Sequence, residues 1–527
     1  MTIKIEQTLE KGDDDSFVLA LELADNWMDL LIKGIDYYHR YHHRTLSICV
    51  NTAFIIWLLL LFAIILHEYS SFVSRKQIYR SHTITILKSR LFLLILFGLL
   101  SVSAMLLYLK SKDASFVMYA FLPLLVGMVA LTKIEIILNT LQHVLTKVTV
   151  EQIASVIFFM IGVGIGVEIL VNAFFDRKVL SIIAVFLAFV PWIKMVTENR
   201  SYSFTHNLVS ILFTFSSLGL GYFPQLPVIH HEENYLLVVL ASFLISTCGL
   251  VYTFFVKDRN SVIVGLQTAV VIFCVVVKMH SVSSIEDGNG LPLFNKIFSW
   301  SVISISPLLV FLTDVKSIGR LVSTILYLSA TYILTSISYE SLFLFVLTMQ
   351  MIFWVTMEIH VFTAETKPKR NMANEYLTLD HIRIAFMFVY FIFVSFFGTG
   401  NIASINSFHI ASTYCFQTVF NPWIQGMVLS IKVLIPLLMV TVIFRSMHSM
   451  TSLPMRGIFL VILLLTDVMA IHFFFWVKDE GSWLDIGQSL SHFVINLAFV
   501  IFLLPVYELS YHVTGHVSIE SLKPHTS

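Results

Sequence analysis

Fifteen apolar runs, most of them close to twenty residues long, follow one another between residues 45 and 508 with only short polar breaks. They fall at 45–66, 91–109, 115–132, 152–175, 178–196, 205–222, 235–256, 261–279, 297–314, 320–337, 341–360, 382–400, 420–444, 457–477 and 488–508. A helix rises about 1.5 Å per residue, so about twenty residues cover a hydrocarbon core of about 30 Å. With 57% of 527 residues hydrophobic, 13% charged and a mean hydropathy of +0.84, too little polar surface remains to wrap a water-soluble fold. The runs do not alternate with the period of two that a membrane β-barrel requires. The expected fold class is therefore all-α, a polytopic transmembrane helical bundle of about 15 spans.

Lys plus Arg and Asp plus Glu balance at 33 each, which points neither to nucleic acid nor to a strongly anionic partner. Their placement is informative, because lysine and arginine accumulate in cytosolic loops. One set of alternate loops carries Arg75, Lys76, Arg80, Lys88 and Arg90, Lys194 and Arg200, Lys257 and Arg259, Lys316 and Arg320, Lys367, Lys369 and Arg370, and Arg445 and Arg456. The opposite set carries His230, His231, Glu232 and Glu233, then Glu286 and Asp287, an uncharged stretch at 398–416, and Lys478, Asp479 and Glu480. With an odd number of spans the N-terminus is expected in the lumen and the C-terminus in the cytosol. The chain then divides into a lumenal juxtamembrane segment 1–44, a membrane domain 45–510 and a cytosolic tail 511–527. Within the first, Leu19, Leu23, Trp27, Leu30, Leu31 and Ile35 recur at helical spacing and predict one or two short helices, while the acidic opening is the wrong composition for a cleavable signal peptide.

Ionisable residues inside spans each cost about 2.5–3.5 kcal/mol on insertion scales unless they face a partner or water. Lys432 and Asp467 stand out; their depths in consecutive spans differ by roughly 3 Å, and they are expected to form an intramembrane ion pair, as a packing clamp or a substrate contact. Glu168 follows Gly162, Gly164 and Gly166, a pattern that allows close approach of a neighbouring helix bearing a donor for the carboxylate. The four cysteines have no metal or disulfide spacing, and the tract Tyr37-Tyr-His-Arg-Tyr-His-His-Arg44 matches no standard metal site, so no metal ligand is assigned.

Two segments remain as a possible lipid-facing site. The loop Gly398-Thr-Gly-Asn-Ile-Ala-Ser-Ile-Asn-Ser-Phe408 is rich in small and amide side chains, with Gly398, Gly400, Asn401 and Asn406 as its candidates. Backbone of this kind sits at membrane depth only where protein or a polar cavity satisfies it. The second segment runs from His472 through Lys478 and Asp485 to His492; it either anchors the interface with its aromatic residues or lines a pocket for a lipid headgroup.

These same stretches carry a resemblance. The loop at 398–408, Leu434-Ile-Pro436, and the run Asp467-Val-Met-Ala-Ile-His-Phe-Phe-Phe-Trp-Val-Lys-Asp-Glu-Gly-Ser-Trp-Leu-Asp-Ile-Gly-Gln-Ser-Leu-Ser-His492 resemble the C-terminal membrane region of the PIG-N family of GPI ethanolamine phosphate transferases, and Lys33-Gly-Ile-Asp-Tyr-Tyr-His39 resembles that family's approach to the membrane. The resemblance implies an endoplasmic reticulum membrane protein. Its partners would be phosphatidylethanolamine and the GPI precursor, whose first mannose receives phosphoethanolamine. In such an enzyme a lumenal phosphatase-like domain, with a threonine nucleophile and two zinc ions, performs the transfer. No segment here is long enough for that domain, so no cofactor and no catalytic residue is expected in this chain, and zinc only in the domain it lacks. The alternative is a non-catalytic lipid transporter, scramblase or membrane scaffold.

Overall fold

The computed structural model describes residues 14–40, 43–69, 114–131, 149–198, 204–227, 234–256, 258–365, 377–400, 410–451, 453–478 and 481–515, with scattered positions besides. Every long element among them is a helix. In chain order these are α1 (Asp14–Arg40), α2 (His43–Tyr69), α3 (Ala114–Leu131), α4 (Val150–Asn172), α5 (Leu180–Glu198), α6 (Phe204–Tyr222), α7 (Tyr235–Phe255), α8 (Arg259–Glu286), α9 (Leu293–Phe311), α10 (Ile318–Thr335), α11 (Glu340–Glu365), α12 (Leu379–Phe397), α13 (Pro422–Thr451), α14 (Met455–Trp476) and α15 (Trp483–Thr514). Twelve of the described helices are long and apolar enough to cross a membrane. The all-α polytopic expectation holds, and α2 to α15 each coincide with an apolar run; the run at 91–109 lies outside the described residues.

Two compact units are present, Met1–Lys147 and Val148–Ser527. In the first, α1 is one continuous helix of 27 residues. In the second, helix starts are fixed by side chains that accept orphan backbone N–H groups: Asp258 accepts from the N–H of Ser261 at 2.8 Å ahead of α8, Ser317 from that of Gly319 at 3.0 Å ahead of α10, and Ser482 from that of Asp485 at 3.1 Å ahead of α15. Pro191, Pro307, Pro436 and Pro505 lie inside helices, a placement that membrane helices tolerate because neighbours re-satisfy the freed carbonyls.

The helix α10 is the hub of the second unit. It packs on α7, α8, α9, α13 and α15, and most of its residues are buried although it is only 18 residues long. Its hydroxyls make that possible: Thr324 donates to the carbonyl of Arg320 at 2.7 Å, Thr331 to that of Tyr327 at 3.2 Å, and Ser323 to Gln267 Oε1 of α8 at 2.7 Å. Small hydroxyl side chains let neighbouring helices come close while leaving no donor bare. Outer positions carry exposed Phe158, Phe186, Phe215 and Phe243, as a lipid-facing surface requires.

At one end of this unit Arg320 binds the last turn of α15, donating from Nε to the carbonyl of Val513 at 2.6 Å and from Nη1 to that of Thr313 at 3.2 Å. Nearby, Arg383 of α12 meets Glu358 of α11 through two parallel contacts of 2.5 and 2.9 Å, and Trp354 Nε1 donates to the same carboxylate at 3.0 Å. The connections 173–179, 223–227, 336–339, 398–400, 410–421 and 477–482 belong to the opposite end, where the polar candidates gather.

Candidate functional site

The turn between α10 and α11, residues 336–339, is wholly buried. A turn can be sunk in a membrane protein only if its backbone polar groups find partners inside. Here Ser336 Oγ donates to the carbonyl of Ile333 at 3.0 Å and also meets Ser341 Oγ, Ser338 takes a positive φ of 53°, and Glu340 folds its Oε2 back to accept from the N–H of Ile337 at 2.7 Å. A carboxylate in the first turn of α11 is further favoured by the positive end of the helix.

Two lysines meet this turn. Lys432 Nζ lies 2.8 Å from Glu340 Oε1 and donates to Ser412 Oγ at 2.7 Å; the side chains of Lys432 and Glu340 are 3% and 2% exposed. Lys278 of α8, 1% exposed, donates from Nζ to the carbonyl of Leu334 at 3.3 Å and contacts the Cys415 thiol, and it lies close enough to Lys432 for the two charges to repel. Lys432 is ten residues past the start of α13 and Lys278 eight before the end of α8, so both sit roughly 12–15 Å along their helices from this end.

The expected Lys432–Asp467 pair is therefore replaced by Lys432–Glu340. Matching depths on consecutive helices were not enough, because α13 packs mainly on α10, α11, α12 and α15, whereas α14 packs mainly on α4, α12 and α15. The face of α13 bearing Lys432 looks onto the sunken turn.

Nearer the surface, Arg177 ties three connections together. Its Nη1 donates to the carbonyl of Gly398 at 3.2 Å and its Nη2 to that of Leu226. Beside it, the Tyr339 hydroxyl donates to the carbonyls of Pro227 at 3.0 Å and Thr399 at 3.4 Å. Burial pushes the Tyr339 phenol above its ordinary pKa, against the pull of the Arg177 guanidinium, so it remains a hydroxyl donor at neutral pH. Gly398 and Gly400 are both buried in this knot. A Cβ at Gly398 would lie 2.4 Å from Phe343, and Gly400 has a φ of +78°. Asn401 and Asn406 lie outside the described residues.

The second predicted segment adjoins the first through aromatic rings. The ring of Phe174 is 4.7 Å from that of Phe397, 4.5 Å from Phe473 and 5.5 Å from His492, while Phe175 meets His492 at 4.7 Å and Trp476 at 5.0 Å. His492 is buried, with no partner for Nδ1 among the described residues. His472 packs on Trp476 at 4.7 Å and points Nδ1 to Glu168 Oε2 at 3.4 Å; Asn172 Nδ2 donates to the other oxygen at 3.0 Å. Lys478 and Asp485 are exposed, Asp485 in the first turn of α15. Of the three glycines ahead of Glu168, only Gly166 is closely approached, by the ring of Phe386 rather than by a backbone.

Sequence reasoning missed Lys278, Glu340, Arg177 and Tyr339. Lys278 sits at the edge of the run 261–279, but α8 continues to Glu286. Tyr339 and Glu340 fall in the gap between the runs 320–337 and 341–360. Among the described residues no three His, Cys, Asp or Glu side chains converge as metal ligands. What this end can do is hold a polar or charged group against donors at membrane depth.

These features define a multi-pass α-helical membrane protein with a charged cluster sunk below one end of its bundle. The model of the family described as phosphatidylinositolglycan class N (PIG-N) matches residues 33–482. The chain belongs to that family. It is 33% identical over 515 residues to GPI ethanolamine phosphate transferase 1 of Mus musculus, covering 93% of this chain and 53% of the relative. It is likewise 33% identical over 510 residues to the Homo sapiens protein of that name, covering 92% and 52%, and 28% identical over 552 residues to that of Gibberella zeae, covering 98% and 54%. The chain thus spans about half the length of the curated relatives it matches. No solved structure matches it.

Proposed function

We propose that this chain serves GPI-anchor biosynthesis in the endoplasmic reticulum membrane as the bilayer-embedded part of an ethanolamine phosphate transferase. Its polar end faces the lumen and presents phosphatidylethanolamine and the GPI precursor for transfer of phosphoethanolamine to the first mannose. The observation that carries this reading is the family match across 33–482, which includes the polar end as far as the start of α15. Both lipids bear a phosphodiester, and that end offers buried lysines beneath Arg177, Tyr339 and the exposed Lys478 and Asp485. On this reading displacement at phosphorus, with its zinc ions, belongs to a phosphatase-like domain rather than to these helices.

The test is inactivation of the gene for this chain, followed by mass spectrometry of GPI precursors and by surface staining of a GPI-anchored protein. Precursors lacking phosphoethanolamine on the first mannose are expected to accumulate. Re-expression is expected to restore the profile, and Asp485→Ala to restore it less well. An unchanged precursor profile after inactivation would defeat the proposal, and lipid flux driven by this chain alone in liposomes would favour a transporter or scramblase.

A further inference from the structure

The sunken cluster holds two lysines and one glutamate. Among the described residues the structure records an ion pair for Lys432 and none for Lys278. Two ammonium groups present six N–H donors. The partners recorded for them are Glu340 Oε1, Ser412 Oγ, the carbonyl of Leu334 at a long 3.3 Å, and the weakly accepting thiol of Cys415. Among the described residues the cluster therefore sets two ammonium groups against one carboxylate, with few acceptor atoms around Lys278. A buried charge without compensation is strongly unfavourable, and an anion seated at the cluster would relieve it. Lys278 contacts the end of α10 through Leu334 and the 410–416 segment through Cys415, and the hydroxyls of Ser336, Ser341 and Ser412 lie at the same cluster. One oxyanion with several lone pairs would supply charge and acceptors together.

We infer that Lys278 and Lys432 form a phosphate-binding subsite whose ligand supplies the counter-charge that Glu340 alone does not. The ligand class is a phosphate mono- or diester, either a lipid headgroup or a free phosphate. The inference deepens, and rests on, the reading of this end as a lipid-headgroup face. Glu340 sets the occupancy: it neutralises one lysine and leaves the other to the ligand, so that binding is reversible rather than permanent.

The experiment follows thermal unfolding of the full chain, in detergent with added inorganic phosphate or phosphoethanolamine, and in nanodiscs with or without phosphatidylethanolamine in a background of uncharged lipid. The wild-type chain is expected to gain a saturable rise in melting temperature from the phosphate-bearing probe. Lys278→Met is expected to unfold higher than wild type without the probe and to lose the rise, with apparent affinity at least about tenfold weaker, because the uncompensated charge is gone. Lys278→Arg is expected to keep the rise. Glu340→Gln is expected to unfold lower without the probe and to gain a larger rise with it. A rise confined to phosphatidylethanolamine nanodiscs assigns the site to a headgroup, and a rise with soluble phosphate assigns it to the free anion. No rise with any probe, or a rise unchanged in Lys278→Met, overturns the inference; should Glu340→Gln fail to fold, the two Lys278 variants decide between the outcomes. Since no transfer activity is read, failure here leaves the precursor profile as an independent test of the proposed function.

Discussion

Lys432 illustrates how a single side chain is placed by packing rather than by depth. Its carboxylate partner is Glu340 at 2.8 Å, in a site where both groups are nearly free of solvent. Removing one member of such a pair leaves a bare buried charge, at a cost of about 3–5 kcal/mol, whereas removing both is often close to neutral. Lys432→Met is therefore expected to lower stability sharply, and Lys432→Met with Glu340→Gln to recover most of the loss. Denaturant or thermal unfolding in detergent, arranged as a double-mutant cycle, reads this directly; the coupling should exceed about 1 kcal/mol for Lys432 with Glu340 and fall below that for Lys432 with Asp467. Equal couplings would contradict the geometry. Glycines in α4 give a second comparison on one helix. A Cβ at Gly162 meets nothing within 4 Å, but one at Gly166 would lie 2.4 Å from the Phe386 ring. Gly162→Ala should be neutral or raise stability by up to about 1 kcal/mol through helix propensity. Gly166→Ala should lower it by about 1–3 kcal/mol unless the ring swings away.

The same contrast runs through the elements. Hydropathy marked α2 to α15 because a span is a one-dimensional property: about twenty apolar residues identify it whatever surrounds it. The site was legible only in part. The segments at 398–400 and 472–492 were found because polar, small and aromatic residues there break the lipid-compatible pattern, and rings of Phe174 and Phe175 join them in space. Glu340 escaped because its turn has the composition of an ordinary loop, and only the surrounding helices α8, α13 and the 410–416 segment sink it. Lys278 escaped because the apolar run ends one residue beyond it while the helix runs on to Glu286. The turn between α10 and α11 also stores local strain. Ser338 has a φ of 53°, in the left-handed region that costs a non-glycine residue about 1–2 kcal/mol. Ser338→Gly is expected to hold or raise the melting temperature, and Ser338→Val to lower it, since a β-branched side chain tolerates that conformation least. Acceptance of valine without loss would mean that the turn does not hold a left-handed residue at this position.

At the scale of the whole molecule the two ends of the second unit differ in chemistry. One end is held by Arg320, Arg383 and Glu358, close to loops rich in lysine and arginine; the other gathers the sunken lysines, the Gly398–Thr399 carbonyls and the exposed Asp485. Lysine and arginine near span ends settle orientation because basic loops stay in the cytosol. The basic end is therefore expected to face the cytosol and the sunken cluster the lumen, which is where the proposed transfer requires it. Parity makes this measurable. The fifteen apolar runs of the sequence, an odd number, predict that epitope tags on the two termini lie on opposite sides. In sealed microsomes, protease added outside is expected to remove a C-terminal tag and spare an N-terminal one, and detergent should expose both. The sequon Asn199-Arg-Ser should remain unglycosylated, since it falls in a basic loop. Two tags with the same accessibility would mean an even number of crossings, with 91–109 not spanning. Digestion of the N-terminal tag alone would invert the bundle and place the sunken lysines toward the cytosol, out of reach of a lumenal reaction.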